Sequence, residues 1–181
     1  MVKKSGFTLI ELIVSTAVIA MVTGIFLANY SSTNRRTDLT MTAQKLVTDI
    51  RLAQNYALGL ARYGGSGSTN VPAGGWGVHF DLSNNKEYIV FADDNNNKVY
   101  DGGESNPSYG AQVFELPENV IIESLTPSES KVDITFLPPD PITTITGSSI
   151  HKQLDIVLKD TKANTTKTVR VNFLGLTEVV N

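Results

Sequence analysis

The 181-residue chain carries 18 acidic and 15 basic residues and no cysteine, for a formal net charge of −3 and a pI near 5.3. That length holds one ordinary domain with an appendage, not two full-sized domains. The missing cysteine excludes disulfides, thiolate metal centres and a cysteine nucleophile, and the acidic balance argues against attachment to nucleic acid by bulk charge.

The mean hydropathy of −0.04 averages two unlike parts. After Met1–Gly6, with Lys3 and Lys4, comes an apolar run over 7–28, and no residue is charged from Leu12 to Asn34. As a helix, 7–28 is about 33 Å long at ~1.5 Å per residue, enough to cross a hydrocarbon core of ~30 Å. Glu11 interrupts the run, and a carboxylate at that depth costs roughly 2.5 kcal/mol or more unless it reaches the interface or a partner. A secretory signal peptide has a shorter, uncharged apolar core and a small-residue cleavage site. A plain anchor accounts for the length but not for Glu11 or the sharp Lys-Ser-Gly/Phe junction.

The run Lys-Ser-Gly-Phe-Thr-Leu-Ile-Glu-Leu-Ile-Val at 4–14 closely resembles the signal of type IV pilins and type II secretion pseudopilins. The resemblance implies that prepilin peptidase cuts after Gly6 and methylates the new amine of Phe7, with 1–6 as leader. It implies that Glu11 faces the N-terminal amine of a neighbouring subunit, because a buried acid paired with an amine is far better placed than one left alone. The partners implied are other pilin or pseudopilin subunits, an inner-membrane assembly platform, membrane lipid and a separate cytoplasmic ATPase. Lys3 and Lys4 before the span balance Arg35 and Arg36 after it, so charge alone gives no orientation. The resemblance puts a single-pass chain in the cytoplasmic (inner) membrane with an extracytoplasmic C-terminal part, in a periplasmic pseudopilus or a surface pilus.

Beyond the 7–30 span, Leu39, Ala43, Leu46, Ile50, Ala53, Ala57 and Leu60 recur at steps of four and three. This predicts an amphipathic continuation of the helix over 31–63, laid on a flat surface through its small residues and ending near Gly64-Gly65. The Gly/Ser-rich stretch 64–75 reads as a loop. From there the chain turns to β over 64–181: a hairpin from 76–82 and 87–92, shorter strands at 113–116, 120–124 and 132–137, a proline block at 138–141, a terminal hairpin from 151–159 and 166–174, and a short edge at 176–180. The expected fold is α+β, a long N-terminal helix on an antiparallel sheet. The segments 49–57, 75–80, 91–95, 116–120 and 132–138 are similar to those of H-type (GspH/FimT-like) minor pseudopilins.

Residues 93–104 have the spacing of a calcium loop: oxygen side chains at Asp93, Asn95, Asn97, Asp101 and Glu104, with the Val99 carbonyl at the seventh place. Lys98 stands where such loops have glycine, and positive φ there costs on the order of 1 kcal/mol. The alternative is a solvated Asn/Gly loop. A bound Ca2+ would be structural, neutralising a loop of net charge −3.

Catalytic patterns are lacking. His79 and His151 lie in expected strands with no HExxH motif and read as structural histidines. The glycine-rich stretches have no phosphate-loop context, and no G-x-S-x-G elbow occurs. Residues 37–181 hold 17 acids and 11 bases, with only a modest basic group at Lys159, Lys162, Lys167 and Arg170; a nucleic-acid partner is not expected. The reading is a non-enzymatic, membrane-anchored, pilin-like subunit. The rivals are a membrane-tethered calcium- or ligand-binding module that never enters a filament, and a secreted β-rich hydrolase that loses its anchor.

Overall fold

A computed structural model describes residues 6–64, 70–105, 112–138, 142–147 and 150–180, and at 28–36 and 105 the backbone only. The expected leader residues 1–5, part of the 64–75 loop and most of the proline block at 138–141 lie outside the described residues. The chain divides into two units, Met1–Thr37 and Asp38–Asn181.

Helix α1 spans Leu9–Leu58 and supplies residues to both units. In the first unit, Leu9–Leu27 is a stretch of 19 residues with none buried, long and apolar enough to cross a membrane. In the second, the predicted stripe is buried from Leu39 through Ala57. Its last member departs from expectation: the helix ends at Leu58, and Leu60 is 54 % exposed. Ala61 N–H bonds to the Tyr56 carbonyl and Leu60 N–H to that of Ala57, the paired bonds of a Schellman cap. Leu60 itself takes the left-handed conformation (φ 48°) that closes the cap, so the helix stops at Leu58, well before Gly64.

Strands β1 (Gly75–Asp81), β2 (Glu87–Asp93), β3 (Gln112–Glu115), β5 (Lys131–Leu137), β6 (Ile142–Thr146) and β7 (Ile150–His151) form one antiparallel sheet in the order β3-β2-β1-β5-β6-β7. Strands β4 (Val120–Thr126), β8 (Gln153–Asp160), β9 (Thr165–Asn172) and β10 (Thr177–Val180) form a second, β10-β9-β8-β4. The α+β class holds, with two sheets in place of the single one expected. The run expected at 151–159 breaks at Lys152, where the chain passes from the first sheet to the second. Strand β6 follows the proline block and was not anticipated; its Thr-rich sequence, with buried positions only at Thr143 and Ile145, carries a weak apolar signal.

Alternation decides which side chains meet the helix. Val78 and Phe80 of β1, Val90 of β2, Ile134 and Phe136 of β5, and the inward residues of β8 and β9 join Leu46, Ile50 and Ala53 of α1 in one hydrophobic cluster. Polar tethers fix the helix on both sheets. Tyr88 donates to Asp49 at 2.5 Å, and burial pushes its phenol far above its ordinary range, with the Asp49 carboxylate adding to the effect. Arg51 donates to the Thr177 carbonyl at 3.1 Å and Gln54 to that of Gly175 at 2.5 Å.

Candidate functional site: the helix start and the 93–104 loop

Gly6, Phe7 and Thr8 precede the helix in irregular backbone, and Phe7 is 77 % exposed. The Gly6–Phe7 peptide thus lies outside helix and strand. Helix α1 begins with a capping box. The Thr8 hydroxyl accepts from Glu11 N–H at 3.3 Å, and the Glu11 carboxylate accepts from Thr8 N–H at 3.4 Å. A third contact runs from the Thr8 hydroxyl to the same carboxylate oxygen at 3.4 Å. Thr8 and Glu11 together therefore answer two orphan N–H groups at the helix start, with the Glu11 carboxylate in the electrostatically positive turn where an anion is favoured. Thr8 was missed as a partner, although Thr-x-x-Glu ahead of an apolar run is the sequence signature of this cap.

The six residues expected to hold calcium run from Asp93, the last residue of β2, through the loop that follows it. Asp93 is fully buried. Its carboxylate accepts from Asn97 N–H at 3.2 Å and Lys98 N–H at 3.0 Å, and the Lys98 ammonium lies 3.7 Å away. Lys98 has the positive φ expected at that position, 66°, and its ammonium donates to the Gly74 carbonyl at 3.0 Å and to the Asn96 side chain at 2.5 Å. Asp101 accepts from the amides of Asn95 and Asn97 at 2.6 and 2.8 Å, while the carbonyl oxygens of those two side chains accept from Asn97 N–H and Val99 N–H. Glu104 accepts from the N–H groups of Asp94 and Asp101 at 3.2 and 3.0 Å. Burial raises the Glu104 carboxyl above the ordinary range, the two N–H groups oppose that, and the charges of Asp93 and Asp101 add to it. The loop is thus closed by its own donors. Among the described residues no group of three or more His, Cys, Asp or Glu side chains is placed to hold one metal ion.

The same loop covers the outer face of the larger sheet. On that face, opposite the core, stand His79, Phe91 and Asp133, and Tyr100 from the loop lies over the first two with ring centroids 4.6 and 5.3 Å away. Gly77 is required there, because a Cβ would meet the Phe91 ring at 2.7 Å. His79 and Asp133 are cross-strand partners on β1 and β5, joined at 2.7 Å through Nδ1. His151 contacts Glu129 through Nε2 at 3.2 Å. Both histidines have carboxylate partners, which their sequence context did not reveal because the partners are 54 and 22 positions away. In the basic group, Lys159 pairs with Glu123 and Arg170 with Asp155.

Comparison with known proteins bears on the N-terminus. Residues 1–27 match the model of the prokaryotic N-terminal methylation motif. That match supports the type IV pilin and pseudopilin family, a precursor processed by prepilin peptidase and assembly with other pilin subunits. With the apolar helix it fits anchoring in the inner membrane. No curated protein and no solved structure matches the chain.

Proposed function

We propose that the chain is the precursor of a pilin-like structural subunit, a minor pseudopilin of H-type character, serving a type II secretion or type IV pilus machine and catalysing no reaction. Prepilin peptidase cuts after Gly6 and methylates Phe7. The apolar half of α1 then holds the subunit in the membrane, with the second unit outside the cytoplasm, until that half packs among the helices of other subunits on an assembly platform. What supports this reading is the coincidence of the methylation motif over residues 1–27 with an exposed, irregular Gly6–Phe7 junction immediately before a helix capped by Glu11.

Glu11 has a role on each side of cleavage. Before it, the carboxylate caps its own helix. Afterwards the Phe7 amine of a neighbour offers a full positive charge, a stronger partner in low dielectric than a peptide N–H. A misregistered neighbour leaves the acid in hydrocarbon without a cation, and that penalty sets register. The expected outcome for Glu11→Ala is normal membrane insertion and leader removal with poor recovery in sheared filaments. Filament incorporation equal to wild type contradicts the role of Glu11.

Calcium at 93–104 is a separate proposal, supported by the ligand spacing and by the positive φ at Lys98. Binding requires Asn95 and Asn97 to turn their oxygens from backbone N–H groups to the ion, and the Lys98 ammonium to withdraw from Asp93.

A further inference from the structure

A pocket of about 510 Å³ opens on the outer face of the larger sheet, beside Tyr100 of the covering loop. Its volume is within the ~300–1,000 Å³ range of small-ligand sites. What distinguishes it is the sign of its hydrogen-bonding groups. Carboxylates of Asp81, Glu87, Glu129 and Asp133 line it, against one ammonium, that of Lys131, which is committed to Asp81 at 2.9 Å, and the amide of Asn84, which donates to one oxygen of Glu87 at 2.5 Å. His79 is only 7 % exposed and lines the same pocket. In its neutral form the imidazole donates from Nδ1 to Asp133, which leaves Nε2 as an acceptor. Among the described residues the hydrogen bond seen for the His79 ring is the one at Nδ1. The pocket therefore presents an excess of carboxylate acceptors and negative charge, with the Tyr100 ring, tilted 38° to that of His79, at its wall.

A lining of acceptors and negative charge selects a ligand made only of donors and positive charge. Of the common biological groups, guanidinium fits most fully: five N–H donors in a plane, no acceptor, permanent charge, and a flat face that stacks on a phenol ring. We propose that this pocket binds a guanidinium group, with the Glu87 carboxylate and His79 Nε2 accepting its hydrogen bonds and Tyr100 lying against its face. The inference stands apart from the pilin reading, since it uses only residues of the second unit. Two sources supply the chemistry: an arginine side chain of a protein partner, or a free guanidino compound.

The chain has two histidines, so histidine-selective isotope labelling of the full-length protein in detergent gives two ring signals, with His151 as an internal control. The probes are agmatine, a blocked Gly-Arg-Gly peptide, and the same peptide with citrulline, which keeps the shape and loses the charge. The expected result is a saturable shift of the His79 signal with agmatine and the arginine peptide, and none with citrulline. Tighter binding of the peptide identifies a protein's arginine as the source, and equal or tighter binding of agmatine identifies a free compound. Glu87→Gln is expected to weaken binding roughly tenfold, the loss of one charge-assisted hydrogen bond. Lys131→Met, which frees Asp81, is expected to tighten it. Equal shifts of both histidines, an equal response to citrulline, or indifference to both substitutions overturns the proposal.

Discussion

Asp155 and Arg170 face each other across β8 and β9 and form two parallel bonds, Nε to Oδ1 at 2.8 Å and a terminal guanidinium nitrogen to Oδ2 at 2.9 Å. The Arg170 bond holds the Asp155 carboxyl below its ordinary value of 3.8. A carboxylate whose folded value is depressed contributes stability above the unfolded value and loses it as the pH falls through the folded one. Asp155→Asn is therefore expected to lower the urea midpoint at pH 7, and the gap from wild type to close as the pH is taken below 3.8. A gap independent of pH contradicts the assignment. In the 93–104 loop, the calcium proposal predicts that added calcium raises Tm saturably, that EDTA reverses the gain, and that Asp101→Asn abolishes it. An unchanged Tm in the wild type leaves the loop held by Lys98 and its own amides. The spacing of the loop was legible in the sequence and so was the strain at Lys98, because both are local. What occupies the ligand oxygens was not, since Asp93 and Asp101 meet their donors only once the chain has turned through Asn96 and Lys98, both at positive φ.

At the scale of elements, the helical stripe was readable because its period is intrinsic to the helix. Leu39 to Ala57 are buried as the spacing requires, and the alanines at 43, 53 and 57 let the backbone approach the sheets. Ala53 has no exposed surface, so Ala53→Leu forces a larger side chain into a closed space at a cost of about 1–3 kcal/mol. Thr48→Leu on the exposed face is expected to stay within about 0.5 kcal/mol of wild type by the same urea denaturation. Similar effects at the two sites contradict the packing described. The helix end was misplaced because a Schellman cap normally advertises itself with glycine at the left-handed position, and here Leu60 occupies it one residue after Gly59. The division into two sheets was hidden for a related reason. A break at the single residue Lys152 leaves the alternation of its neighbours nearly continuous, and pairing partners are set by long-range packing rather than by local pattern.

The whole molecule is a sum of unlike parts. Its N-terminal helix surface carries exposed Leu, Ile, Val, Met and Phe side chains over Leu9–Leu27, while residues 37–181 carry a net charge of −6. A near-neutral average describes neither. Under the proposed cleavage after Gly6, loss of Lys3 and Lys4 takes the net charge from −3 to −5. Without disulfides, the second unit depends on its hydrophobic cluster and on the tethers from Asp49, Arg51 and Gln54. The central claim is that the apolar helix is the assembly element of a processed pilin-like subunit. Intact mass spectrometry of the protein purified from a host with its prepilin peptidase tests this most directly. The expected product begins at Phe7, lacks the mass of residues 1–6 and carries one added methyl group. An uncut chain points to a tethered module, and a product cut beyond Leu27 points to a secreted domain; either result contradicts the account.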